Sequence, residues 1–370
     1  MFPPKGESLD RASPASAASS TPPYAVQSLL TDPALRAQWQ ALECHAFLPS
    51  QSLAFHAALG ETMLGGQRGM AITAEDSGTA CAMVLLSRSA RPWAVWHIPG
   101  PREIHEPTDA LYRDAAAAQL LAERLIALKQ PLAIDRITQR SLLVAALKVS
   151  ARGRAWISVR PASPCPTLAL GPQWIEPESN FNAGRRSDLR RAARRAASLG
   201  KVSYALHSPG PDQFAALFEE AVRIEALGWK AQARTAMRDD PAKLTFFRTF
   251  LADEAAEGRL RIAFMLIDER AVAMQLATLR ANRYWLFKIG YDEAFARCSP
   301  GRLLMLHTIG AAAREGLDAY ELLGENEAWI ADFWTRSKNP CLRLRVYPRS
   351  LWGLAALARD GLGWLRGRLR

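Results

Sequence analysis

The sequence is poor in the features that would announce a membrane, secreted or metal-dependent protein. No window approaches the roughly 18 uninterrupted apolar residues that a spanning helix needs. The opening stretch MFPPKGESLDRASPASAASSTPP has no apolar core of the kind a secretory signal carries. Its Pro/Ser/Ala bias predicts a disordered lead-in over residues 1–29, with order expected from about Tyr24. The five cysteines (44, 81, 165, 298, 341) are far apart and form no C-x-x-C pair, which predicts free thiols in a reducing compartment. A cytoplasmic protein is expected. The six histidines (45, 56, 97, 105, 207, 307) show no metal spacing such as H-E-x-x-H, so no metal site is expected. Lysine is scarce as well: of 47 basic residues only eight are Lys, and the other 39 are Arg.

What is present is a globular composition, 49% hydrophobic and 22% charged over 370 residues, a length that predicts two compact units. The net charge of +11 is not spread evenly. Residues 185–195 (RRSDLRRAARR) carry +5 and residues 343–370 carry +6, so the rest of the chain sums to zero. Two patches on a neutral body argue against a general nucleic-acid coat.

Apolar spacing predicts helix across residues 33–59, strands at 69–74, 80–87 and 93–97, and a long helix over 108–129. A strand at 132–134, a helix at 140–148 and a strand at 155–159 follow. The three prolines of 160–166 then predict a loop. The second half begins with an amphipathic helix over 185–199. Its arginines spread over one side, with Leu189, Ala192, Ala196 and Leu199 on the other. A strand at 202–207 and helices at 211–227 and 241–257 come next. Strands at 260–267, 271–279 and 284–291, joined by the short connections DER and RANR, read as a meander. A helix at 300–315, a strand at 320–323, a short helix at 328–335 and a strand at 341–346 complete the series.

The most informative stretch is YWLFKIGYDEAFARCSPGRLL (Tyr284–Leu304). A strand ends in Tyr-Asp-Glu, and Ser299-Pro300-Gly301 then opens a helix. Pro suits a first helical turn, Ser299 is a candidate N-cap, and Gly301 permits close approach to the backbone. The free N–H groups and dipole of such a helix attract anions, although an ordinary capped helix has the same pattern. Cys298 sits where a helix dipole lowers a thiol pKa.

E-A-L-G-W-K (Glu225–Lys230), PAKLTFFRTF, the meander, F-K-I-G-Y-D-E…S-P-G-R-L-L and A-D-F-W (Ala331–Trp334) follow one another in order. Together with SNFNAGRRSDLRRAARRAASLGKV and the early Leu35…Trp39…Leu42…Phe47, they resemble the FemAB-like branch of the GNAT superfamily. That group includes the cellulose-biosynthesis CelD/BcsL-type acetyltransferases. The likeness is strongest over residues 180–335.

The resemblance implies an α/β fold of two tandem GNAT-like domains with mixed sheets flanked by helices, at 30–170 and 171–346, before a basic tail at 347–370. It implies transfer of an acetyl or longer acyl group from acyl-CoA to an amine or hydroxyl of a sugar, amino-sugar or envelope precursor, a small-molecule or glycan acceptor. Lys288, Ser299, Pro300, Gly301, Arg302 and Leu303 then fall on the cofactor side. Glu225, Trp229, Lys230, Glu325, Asp332 and Trp334 fall on the acceptor side. Direct attack on a thioester needs a proton acceptor. Glu321 is the first candidate, with Glu325 and Asp292 after it, and Tyr291 is placed to protonate the departing thiolate. The general phosphate loop of the superfamily is met only by Arg297 and Gly301.

Two rivals remain open: an aminoacyl-tRNA-dependent transferase of the FemABX kind, with the Arg helix on RNA, and a non-catalytic factor that binds polyanions or membranes. The tail SLWGLAALARDGLGWLRGRLR places Leu351, Leu354, Ala358, Leu362, Leu365 and Leu369 at three- and four-residue steps, with five arginines between residues 349 and 370. It reads either as a helix docked on its own domain or as one lying on an anionic membrane.

Overall fold

Three two-residue turns organise the strands. At Ser77-Gly78, Asp268-Glu269 and Ala281-Asn282 both central residues have positive φ. That is the geometry whose twist matches a right-handed hairpin. The computed structural model describes residues 24–91, 93–228, 236–324 and 327–368. The strands are β1 (Tyr24–Ala25), β2 (Arg68–Asp76), β3 (Thr79–Arg88), β4 (Trp96–His97), β5 (Leu111–Tyr112), β6 (Leu132–Thr138) and β7 (Ala155–Ala169), then β8 (Val202–His207), β9 (Leu260–Ile267), β10 (Arg270–Arg280), β11 (Arg283–Tyr291), β12 (Ala319–Leu322) and β13 (Lys338–Pro348). The helices are α1 (Val26–Leu30), α2 (Pro33–Leu42), α3 (Leu53–Thr62), α4 (Ala115–Ala127), α5 (Leu142–Ser150) and α6 (Ala183–Ala197), then α7 (Pro211–Glu225), α8 (Pro241–Ala256), α9 (Pro300–Arg314), α10 (Ala328–Phe333) and α11 (Leu351–Arg368).

The strands run in the order β1-β2-β3-β4-β6-β13-β7-β12-β11-β10-β9-β8, with β5 beside β3. The fold is therefore α/β, with two mixed half-sheets in tandem and helices on both faces. The halves meet at β7, which pairs with β13 over residues 155–166 and with β12 over residues 167–169. Although β13 comes late in the chain, it is a central strand of the first half-sheet, held between β6 and β7.

Several expectations are corrected. The loop expected at 160–166 is strand. Pro161, Pro164 and Pro166 lie on a stretch of β7 paired on one edge only, with β13, where a missing N–H leaves no gap in a ladder. The helix expected from 108 starts at Ala115, because Asp114 caps it by accepting from the Ala117 N–H at 2.8 Å. Residues 24–29 form β1 and most of α1 and bury Val26 and Leu29, which fits the expectation of order from Tyr24 and not a lead-in reaching 29. Leu199 lies beyond the end of α6 and is 54% exposed, whereas Leu189, Ala192 and Ala196 are buried.

One core cluster spans both halves. Phe55 of α3 packs edge-on against Phe246 and Phe250 of α8, at 5.3 and 5.5 Å. A charged seam runs beside it, where Arg280 binds Glu43 at 2.9 Å and faces Glu254 at 3.5 Å. On the opposite face of the second half-sheet, α6 and α9 cover a separate core. In the first half, α4 and α5 pack over β2, β3, β6 and residues Leu344 and Val346 of β13. The five cysteines are free; Cys165 and Cys341 lie on paired strands with their sulfurs 4.0 Å apart.

Because β13 is internal, cutting the chain after Ser337 should abolish the cooperative thermal transition followed by far-UV circular dichroism. Cutting after Pro348, which removes only α11, should leave that transition in place.

Candidate active site

β11 and β12 run parallel side by side for only four residues, from Arg283–Ala319 to Leu286–Leu322, yet β11 continues to Tyr291. β12 ends at Leu322, and on its other edge β11 changes course just past the same point. There the register with β10 shifts between Leu276 and Ala277, leaving Phe287 as a bulge. A bulge bends its strand and re-aims the side chains beyond it. Phe287 packs on Phe250 at 5.5 Å, and the Lys288 ammonium lies 4.7 Å from the centre of the Phe247 ring, both on the α8 face. Ile289 and Tyr291 line a cleft on the α9 face. Gly290 is required by close packing, since a Cβ there would stand 2.9 Å from the Glu225 Cα.

The cleft encloses about 390 Å³, and Ser299, Gly301, Arg302 and Trp334 also line it. The Trp334 indole N–H is buried there with no hydrogen-bond partner among the described residues. A buried donor left unsatisfied is costly, so this one marks a place for an acceptor atom. A second recess of about 180 Å³ adjoins the cleft at Ser299 and Arg302, and Arg191, Arg195 and Arg297 line it together with Asp188. Arg191 is partly answered by Asp188 at 3.3 Å. The N-terminus of the 15-residue α9 thus opens between four guanidinium groups. The recess suits a multiply charged phosphate ester, and the splayed strands beside it suit an extended chain. These are the parts an acyl-CoA would require, and the residues fit it: arginines for its phosphates and the gap for its arm.

The expected residues divide. Tyr291, Ser299, Gly301, Arg302 and Trp334 come together at the cleft. Ser299 sits at the N-cap position, but in the left-handed region (φ 50°, ψ 53°) and without a side-chain cap bond. Its carbonyl instead accepts from the N–H groups of Arg302 and Leu303. Pro300 and Leu303 are buried in the core below. Asp332 contributes its carbonyl to Arg185, while the residue itself is exposed. Lys288 lies on the opposite face, and buried Glu225 accepts from the Met237 N–H at 2.9 Å. Trp229, Lys230 and Glu325 fall outside the described residues.

Two carboxylates singled out from the sequence are already engaged. Glu321 is 1% exposed and faces away from the cleft, bonded to Arg283 and to Asn339 at 3.0 Å. Burial raises its carboxyl above the usual range, against the pull of Arg283. Asp292 accepts from the Ala294 N–H at 3.0 Å and pairs with Arg270 at 2.7 Å. The Cys298 thiol is raised by burial, not lowered by the helix dipole as the sequence suggested. His307 stacks on Tyr204 at 4.6 Å.

The sequence reading missed Glu106 and Arg136. Arg136 is 6% exposed, and its guanidinium donates to the carbonyls of His105, Ser163, Pro164 and Gly324 and to the Cys165 sulfur. It thereby ties β6 and β7 to the end of β12. Glu106, also 6% exposed, has one carboxyl oxygen buried without a partner among the described residues. Burial pushes its pKa up to about 7, opposed by the charges of Arg136 and Lys288. Nothing in the local sequence marks either residue, because their burial comes from strands distant along the chain. Among the described residues no cluster of His, Cys, Asp and Glu could hold a metal, and no helix is long and apolar enough to cross a membrane.

No curated protein matches the chain in sequence. Among solved structures, the C-terminal domain of a candidate lysylphosphatidylglycerol synthetase from Agrobacterium fabrum aligns over 88% of this chain and 93% of its own, at 12% identity and a TM-score of 0.52. FemX aligns over 77% and 89%, at 11% identity and a TM-score of 0.49. A tandem GNAT protein from the clavulanic acid biosynthesis pathway aligns over 89% and 98%, at 12% identity and a TM-score of 0.43. Residues 183–330, which contain the Arg helix, the meander, the splayed strands and α9, match the family model described as Acetyltransferase (GNAT) domain. The chain therefore carries a GNAT-type acyltransferase domain over residues 183–330.

Proposed function

We propose that the protein moves an acyl group from acyl-CoA to an amine or hydroxyl of a sugar, amino-sugar or envelope precursor, as in the FemAB-like CelD/BcsL-type branch. The observation that carries the donor half of this reading is the arginine-lined N-terminus of α9 beside the gap between β11 and β12. The acceptor class rests on the sequence motifs. Arg185 and Arg186 of α6 are committed to the carbonyls of Asp332, Phe333 and Phe181, and Arg195 donates to that of Arg297. With Arg191 and Arg195 on the recess, these bonds make α6 one of its walls, which supports the acyl-CoA reading over an RNA contact.

Acyl-CoA brings a carbonyl activated by a good leaving group. Everything else falls to the chain. Arg191, Arg195, Arg297 and Arg302 hold the phosphates. The gap beyond Leu286 and Leu322 gives the thioester a way from the α9 face toward Lys288, whose charge acts on the Glu106 carboxyl. There Glu106, once ionised, takes the proton from the attacking amine or hydroxyl. Tyr291 lines the cleft, and burial and the Glu293 carboxylate keep its hydroxyl protonated, so it can supply a proton to the departing thiolate. Positioning and proton transfer of this kind need no covalent enzyme intermediate.

Acetyl-CoA at about 100 times its Kd should stabilise the fold by about 2.7 kcal/mol, raising Tm by several degrees. Arg195→Ala with Arg302→Ala should remove most of that shift. No shift in the parent protein at millimolar acetyl-CoA contradicts the donor assignment.

Glu106→Gln should lower turnover by roughly 10²–10⁴ while leaving the acetyl-CoA shift intact. The parent rate should fall as pH drops through about 7, the pKa of the Glu106 carboxyl. A carboxyl raised in the folded state ionises first in the unfolded chain, so its contribution to stability declines between about 4.5 and 7 as pH rises. Glu106→Gln should therefore stabilise the protein more at pH 8 than at pH 5, measured as the difference in Tm. Parent turnover in that variant removes Glu106 from the reaction.

A further inference from the structure

The far side of the first half-sheet holds a second cationic feature, distant from α9. β2 and β3 set Arg68 directly opposite Arg88. Like charges in that position repel, and burial together with Arg68 lowers the pKa of Arg88. The ion pairs of this region lie elsewhere, Arg113 with Asp76 and Arg359 with Asp360. Among the described residues none reaches Arg68, Arg88 or Arg91. These three line a groove of about 660 Å³ whose other wall is α11, with Trp93, Trp352 and Leu362 on its surface.

α11 is held with its small residues inward. Gly353 and Ala356 are buried, and a Cβ on Gly353 would stand 1.9 Å from the Pro348 carbonyl oxygen. Ser350 caps the helix and bonds the Lys129 carbonyl at 2.8 Å, while Tyr347 binds Asp360 at 2.9 Å. The larger apolar side chains are left outside. Leu351 is 86% exposed, Leu354 48% and Leu362 56%. Trp93 and Trp352 are exposed with their rings 5.0 Å apart. Arg88 lies over the Trp96 ring at 4.8 Å, but no carboxylate among the described residues pairs with these arginines. An apolar row with aromatic residues beside it, next to such arginines, is the pattern of a bilayer interface. A second copy fits poorly, because a two-fold contact would bring the arginines against one another. Nucleic acid would leave the leucine row exposed.

We propose that this face docks the protein on an anionic phospholipid bilayer. Lipid phosphates sit at Arg68, Arg88 and Arg91, and the leucine row with Trp93 and Trp352 enters the boundary between headgroups and acyl chains. Docking there leaves the arginine-lined end of α9 untouched.

The test is flotation of the full chain with phosphatidylcholine vesicles, with and without phosphatidylglycerol. The protein should float with the anionic vesicles, weakly or not at all with the neutral ones, and less as salt rises. Arg68→Glu with Arg91→Glu should weaken partition at least tenfold, as should Leu351→Ser with Leu354→Ser. Both variants should keep the parent Tm and the acetyl-CoA shift, which separates loss of docking from loss of fold or of the donor site. No binding to either vesicle, equal binding to both, or unchanged partition after charge reversal overturns the proposal. So does a dimer in sedimentation equilibrium that Leu354→Ser dissociates, because the face would then belong to a second copy.

Discussion

The parting of β11 from β12 is the constraint on which the site depends. Two parallel strands with a shared register would close the sheet at this point. Pairing stops at Leu286 and Leu322, where β12 ends, and the Phe287 bulge turns β11 aside directly after it. One extra residue thereby places Ile289 and Tyr291 on the α9 face and puts Phe287 and Lys288 on the α8 face. Gly290 fixes how near α7 can come, and Ser299 in the left-handed region turns the chain so that α9 points its N-terminus at the gap. Each detail is local, but together they set the arginine-lined N-terminus of α9 beside the end of β11.

The second constraint is how the halves are joined. β13 leaves the second half, crosses into the first half-sheet and carries Asn339, which bonds the Glu321 carboxylate. Arg136 returns the connection by bonding Gly324, just beyond the end of β12. Buried ionic groups at this junction are answered by specific partners: Glu321 by Arg283, and Glu254 by Arg259 and Arg280. Removing one member of such a pair strands the other charge away from water, which costs more than the pair contributes. Glu106 departs from this rule. Its second oxygen has no partner, and its charge is balanced only at longer range, an arrangement expected of a group that exchanges a proton.

Much of this was readable in the sequence for stated physical reasons. The meander was legible because short polar connections link apolar runs, and α9 because Pro300 opens it and Gly316 follows it. Failures came where neighbours distant in sequence decide the outcome. Pro161, Pro164 and Pro166 looked like breakers because the sequence does not show that one edge of β7 lacks a partner there. Glu321 reads as a catalytic carboxylate from its strand, but the sequence does not show which face of the strand it takes. Tyr320, one residue earlier, reaches Thr308 of α9, so alternation along β12 sends Glu321 the other way. The basic tail was legible as amphipathic, but which side it buries is set by the fit of Gly353 and Ala356 against the body.

The central claim is that acyl-CoA enters between β11 and β12 with its phosphates at the N-terminus of α9. Hydrogen exchange measured with and without coenzyme A addresses it directly. The account predicts slowed exchange in peptides covering residues 287–303 and 327–334, with little change along β2, β3 or α11. Slowed exchange only at the Arg68–Arg88 groove, or none at residues 287–303, would contradict it.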